Sequence, residues 1–140
     1  MHKKSGFLNI PLMTCIKKAF FLICLFWFSL NASALSFVVS AAAEASHILK
    51  AVPATLKSLV CYNTSASSQF IQVFNSATIP ADGTAPNYTP MVCPATGNCT
   101  LDLTTIQGLP LSTGIVWTNS STATTKTIGS ATTFCTGAVQ

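Results

Sequence analysis

Beyond residue 34, the side chains whose types could do chemistry are few: Cys61, Cys93, Cys99 and Cys135, with His47, Asp82 and Asp102. An even number of cysteines in a small exported chain reads as two disulfides, with three possible pairings. Cys93 and Cys99 flank Pro94-Ala-Thr-Gly-Asn98, a turn-rich stretch that brings two strand ends together. The expected bonds are therefore Cys93–Cys99 and Cys61–Cys135. A four-cysteine zinc site is the sharper alternative, but the C-x-x-C pairs such sites use are missing. Four free thiols is the plain alternative, and it follows if the chain stays in a reducing compartment.

His47 could join Asp82 or Asp102 and one of many serines as a nucleophilic triad. Nothing in the sequence positions it, because no Gly-x-Ser-x-Gly elbow is present and His47 falls at the edge of the first strand. Asp82 sits in Pro80-Ala-Asp-Gly-Thr-Ala-Pro86, where a turn aspartate commonly serves its own backbone. Asp102, between Leu101 and Leu103, reads as the polar face of a strand. The expectation is no catalytic residue, no metal and no cofactor. Asn31, Asn63, Asn87, Asn98 and Asn119 each begin an Asn-x-Ser/Thr triplet, which a chain this rich in Ser and Thr generates by chance.

Where those cysteines reside is decided at the other end of the chain. The formal net charge of +4 comes from Lys3, Lys4, Lys17 and Lys18. Residues 19–43 carry no charge, and the remaining Lys50, Lys57 and Lys126 balance Glu44, Asp82 and Asp102. Basic end, apolar run, then small residues is the layout of an export signal. The apolar core, residues 19–30, would rise only about 18 Å as a helix, short of the roughly 30 Å hydrocarbon layer. Ala32 and Ala34 fit the small-x-small cleavage pattern, so the expected cut follows Ala34. Met13 makes a more ordinary start for such a leader than Met1.

An uncleaved anchor is the alternative, with Lys17 and Lys18 on the cytoplasmic side, although Ser29, Asn31, Ser33 and Ser36 interrupt its run. Cys24 is preceded by Phe-Leu-Ile and lies in no lipobox. The expected organisation is a leader over residues 1–34 beginning with a hydrophobic helix, a linker over 35–46, and a domain over 47–140.

Charged residues make up 7% of the chain, against the usual quarter of a soluble domain. Polarity comes from Ser and Thr, and Thr packs well on a pleated surface. So few charges protect poorly against self-association, which suits a protein that lives in an assembly. With no arginine and three scattered lysines, the body has nothing to neutralise a run of phosphates, so nucleic acid is not an expected partner.

The elements that must carry these residues read as β. Residues 56–62 form one strand candidate and 69–75 the clearest one. In the latter, Phe70, Gln72 and Phe74 alternate with Ile71 and Val73. The aliphatic side should face the core, leaving Phe70, Gln72 and Phe74 as a possible contact face. The wider aromatic group, Tyr62, Phe70, Phe74, Tyr88, Trp117 and Phe134, should mostly pack in the core. Residues 89–93 and 99–103 should form a hairpin around the small cysteine loop, with further strands over 114–118, 126–128 and 130–135. Seven or eight short strands at this spacing predict an all-β antiparallel sandwich or jelly roll.

Several stretches carry a likeness. They are Ala45-Ser-His-Ile-Leu-Lys-Ala51, Leu56-Lys-Ser-Leu-Val-Cys-Tyr-Asn63, Gln69-Phe-Ile-Gln-Val-Phe-Asn-Ser76 and Ile79-Pro-Ala-Asp-Gly83. The longest is Leu111-Ser-Thr-Gly-Ile-Val-Trp-Thr-Asn-Ser-Ser-Thr-Ala-Thr-Thr-Lys-Thr-Ile-Gly129. With these words the chain resembles small β-sandwich virion proteins of tailed bacteriophages, of head-decoration or tail-accessory type. The resemblance implies a non-enzymatic structural protein that packs against copies of itself or a coat protein. The leader and the Cys93/Cys99 pair depart from it, because tailed-phage parts assemble in the reducing cytoplasm. Either the leader is a spurious upstream extension and the protein belongs in a virion, or an exported relative serves as a binding or adhesin-like module.

Overall fold

The computed structural model describes residues 33–140. The leader helix and Ala32 lie outside them. Nine strands form two antiparallel sheets, so the all-β sandwich is the observed architecture. In order they are β1 (Ser36–Val39), β2 (Ser46–Lys50), β3 (Ala54–Asn63), β4 (Gln69–Asn75), β5 (Met91–Cys93) and β6 (Gly97–Asp102). A short 3-10 turn, Thr104–Ile106, precedes β7 (Leu109–Leu111), β8 (Ile115–Ser120) and β9 (Thr133–Val139). The first sheet runs β1-β9-β3-β6 with β7 also on β3, and the second runs β2-β8-β4-β5.

Residues 35–46, read as a linker, open instead with β1, which pairs with β9 from Ser36↔Val139 to Val39↔Thr136. The strand was hidden because its uncharged residues continue the leader's run. Glu44 also bridges Thr133, so the rest of the segment is tied to the sheet.

β3 is the longest strand, and its inward residues Leu56, Leu59, Cys61 and Asn63 are all buried. Facing them from the second sheet are Ile71, Val73, Ile115 and Trp117, the apolar alternation that closes a core between two pleated surfaces. The 3-10 turn folds back onto β3 because Gly108, at φ 93°, is in a region that favours glycine. A Cβ there would meet the Leu56 carbonyl oxygen at 2.8 Å.

The expected hairpin over 89–103 is a crossover. β5 and β6 are joined by a tight turn, but β5 pairs with β4 in one sheet and β6 with β3 in the other. Both cysteines point into the core, which pulls the two strands into different layers. Cys93–Cys99 therefore links the sheets, whereas Cys61–Cys135 links directly opposed residues of β3 and β9 within one sheet. Both expected bonds are present.

The two bonds should differ in weight. Cys61–Cys135 closes a separation of 74 residues and Cys93–Cys99 one of 6. By chain entropy, replacing Cys61 and Cys135 by serine should cost about 4 kcal/mol, against about 2 kcal/mol for Cys93 and Cys99. Equilibrium unfolding in denaturant measures both, and a larger loss from the short-loop pair would contradict this ordering.

Candidate contact surface

The residues with chemical potential are each committed to a local partner. His47 Nδ1 lies 2.7 Å from Glu44 Oε2, three residues back across the turn into β2. Asp102 Oδ1 accepts from the Thr104 N–H at 2.9 Å and its hydroxyl at 2.7 Å, starting the 3-10 turn. Those two hydrogen bonds hold the Asp102 carboxyl below its ordinary pKa. Asp82 accepts from Lys126 Nζ at 2.8 Å and from the Ile128 N–H at 3.3 Å. All four cysteine sulfurs of the body are in disulfides. Among the described residues no group of three His, Cys, Asp or Glu side chains could hold a metal ion.

Phe70, Gln72 and Phe74 do not form a contact face. Phe70 is half-buried, and Gln72 and Phe74 are buried. Ile71 and Val73 do face the core, but β4 is covered on its other side too. The loop after β8 lies over it, held by Gln72 Nε2, which donates to the carbonyls of Thr122, Ala123 and Thr125 at 2.9–3.1 Å. Alternation along one strand reports which side is greasier; it cannot report that a distant loop covers the other.

That loop is also clasped to the turn around Asp82. Gly83 donates its N–H to the Lys126 carbonyl at 2.8 Å, and Lys126 donates its own to Thr84 at 2.7 Å. Lys126 is buried while Asp82 is about half exposed. The Lys126 ammonium holds the Asp82 carboxyl below its ordinary value, aided by the Ile128 N–H.

The open surface lies on the other sheet. Residues alternating outward from β1, β9 and β3 form neighbouring rows. Phe37 lies opposite Ala138, Val39 opposite Thr136 and then Val60, and Phe134 opposite Tyr62. Phe37 and Val39 are 66% and 61% exposed, and Leu35, Val60, Tyr62 and Phe134 exceed 40%. Charge enters at one end of the face: Asp102 lies beyond Ser58, and Lys57 of β3 turns its ammonium to the Gln107 carbonyl at 2.7 Å. A shallow groove beside β1 is lined by Leu35, Phe37, Lys57, Ser58, Gln107 and Ala138, so a lysine borders its apolar side chains. Contiguous exposed apolar surface of this kind marks contact sites.

Tyr62 and Phe134 belong to the aromatic group expected mostly inside, and the structure places them outside. Leu35, Phe37 and Val39 escaped the sequence reading altogether. The signal that could have found them is the Ser-Phe-Val-Val-Ser pattern, β-prone and bounded by polar residues. Compared with family models, curated proteins and solved structures, the chain matches none.

The Asp82 clasp should be sensitive to acid. Its carboxyl is depressed below 3.8, so its stabilisation is complete above that value and is lost as pH falls below it. Relative to the intrinsic rate at each pH, hydrogen exchange at the Gly83 and Lys126 amides should accelerate, as lost protection, when pH falls below 3.8. Asp82→Asn should abolish that extra acceleration; its persistence would remove Asp82 as the cause.

Proposed function

We propose that this protein is a non-catalytic assembly protein of an oxidising, exported compartment, which packs against copies of itself through the outer face of its five-stranded sheet. The observation that carries the reading is that face: exposed Leu35, Phe37, Val39, Val60, Tyr62 and Phe134, with charge at one end, where Lys57 borders the groove and Asp102 lies beyond Ser58. In a two-fold contact only groups at the axis meet their own copies, so an uncharged centre suits self-association. Export is supported by the two disulfides, one spanning the layers and one the centre of a sheet.

A virion component of a tailed bacteriophage is the second reading. It rests on the resembling stretches alone, three of which are joined by hydrogen bonds among Gln72, the turn at Asp82 and the loop at Lys126.

The two readings separate on thiols and termini. The exported protein should be recovered outside the cytoplasm, begin at Leu35 by mass, and offer no alkylatable cysteine until reduced. Cytoplasmic protein that retains residues 20–28 and offers free thiols at Cys61, Cys93, Cys99 and Cys135 would overturn the exported reading.

A further inference from the structure

β1 is open in two directions at the same two residues. Ser40 donates its N–H to the Cys135 carbonyl at 2.9 Å, which fixes the direction of the backbone groups along the strand. In an antiparallel pair, N–H and C=O groups alternate sides residue by residue. Those of Val38 therefore turn to β9, and those of Phe37 and Val39 turn to the free edge. Among the described residues no strand pairs with that edge. The side chains of Phe37 and Val39 are also the most exposed of the outer face. Edge strands are commonly guarded by lysine, proline, a bulge or an inward charge. β1 is Ser-Phe-Val-Val, with none of these residues and a continuous register against β9.

We infer that β1 pairs with β1 of a second copy, antiparallel across a two-fold axis centred on Val38. This goes beyond the proposed function: it joins copies edge to edge through the β1 backbone and leaves the outer face open to a further contact. In this register Phe37 lies opposite the partner's Val39, and Val39 opposite the partner's Phe37. Both members of each pair direct N–H and C=O toward one another, so the register makes about four hydrogen bonds. The cross-strand pairs are aromatic against β-branched, a favourable combination on a sheet. No charge meets its own copy, because the strand has none. The outer faces of two five-stranded sheets become one surface, with the four Phe37 and Val39 side chains along its middle. A second copy is the occupant this edge fits best, because its sequence supplies both halves of each pair.

Such a contact is short, so its dissociation constant belongs in the micromolar to millimolar range of small interfaces. The test is sedimentation velocity of the protein purified from the exported fraction, beginning at Leu35, from about 1 μM to about 1 mM. The weight-average mass should climb toward twice that of the chain. Phe37→Lys should hold it at the monomer, since a charge enters the joined edge. Phe37→Lys combined with Val39→Glu should restore the dimer, because position 37 faces position 39 of the partner. Phe37 is largely exposed, so unfolding midpoints should match wild type and separate a lost contact from a lost fold. Monomer at every concentration overturns the inference, as does dimerisation undiminished by Phe37→Lys. Dimerisation that instead depends on Tyr62 or Phe134 also overturns it, while leaving the contact-protein reading standing.

Discussion

Everything in this fold is registered on β3 at Cys61. That residue lies opposite Cys135 on β9 and opposite Cys99 on β6, and Cys99 is bonded to Cys93 in the other sheet. A single row of sulfur thus crosses three strands of one layer and ends in the second. The row is buried throughout, from 0% exposure at Cys93 to 8% at Cys99. Because side chains alternate along a strand, fixing Cys61 inward fixes Leu59 and Asn63 inward and Val60 and Tyr62 outward. The same link fixes β9, whose Phe134 must then face out. The contact surface is therefore a consequence of the disulfide register: what makes the core dry makes the opposite face greasy.

A small body with few charges needs such fixing. Registers specified only by alternating apolar residues slip where both faces of a strand are alike. β3 carries Val60 and Tyr62 outside and Leu59 and Cys61 inside, so hydrophobicity discriminates weakly between its two faces. A one-residue slip would cost little transfer free energy, but it would turn Cys61 away from Cys135. The covalent bond supplies the selectivity that the pattern lacks. At the polar end of the strand Asn63 does the same by hydrogen bonding, donating to the carbonyls of Ser67 and Pro94 and accepting from the Ser65 N–H.

The class of fold, the strand at residues 69–75 and both disulfides could be read from the sequence, because each rests on local information: alternation, turn residues, an even cysteine count. What could not be read depends on pieces far apart in the chain. Gln72 looks like a surface amide until residues 122–125 are laid over it, about fifty positions downstream. β5 and β6 look like a hairpin until their partners are known. β1 was absorbed by the leader's uncharged run, since composition carries no boundary between residues 30 and 36. Tyr62 and Phe134 look like core aromatics because nothing local tells which side of a sheet a neighbouring layer covers.

The two sheets are finished differently. The second sheet has a lid: the loops near Asp82 and Lys126 are clasped together, and Gln72 pins one of them from below. Maintaining that lid takes a buried lysine, a buried glutamine and a dense set of Ser and Thr hydroxyl bonds, among them Ser120 and Thr122 to the Thr125 carbonyl. Buried polar groups are expensive unless fully paired. The cover is incomplete, since Ile48 and Val92 at opposite edges of that sheet and Ile128 on the lid stay exposed, whereas Phe37, Val39, Val60, Tyr62 and Phe134 share neighbouring rows of the other sheet. That contrast is what supports the proposal of a second molecule on the outer face of the first sheet, joined at the edge of β1.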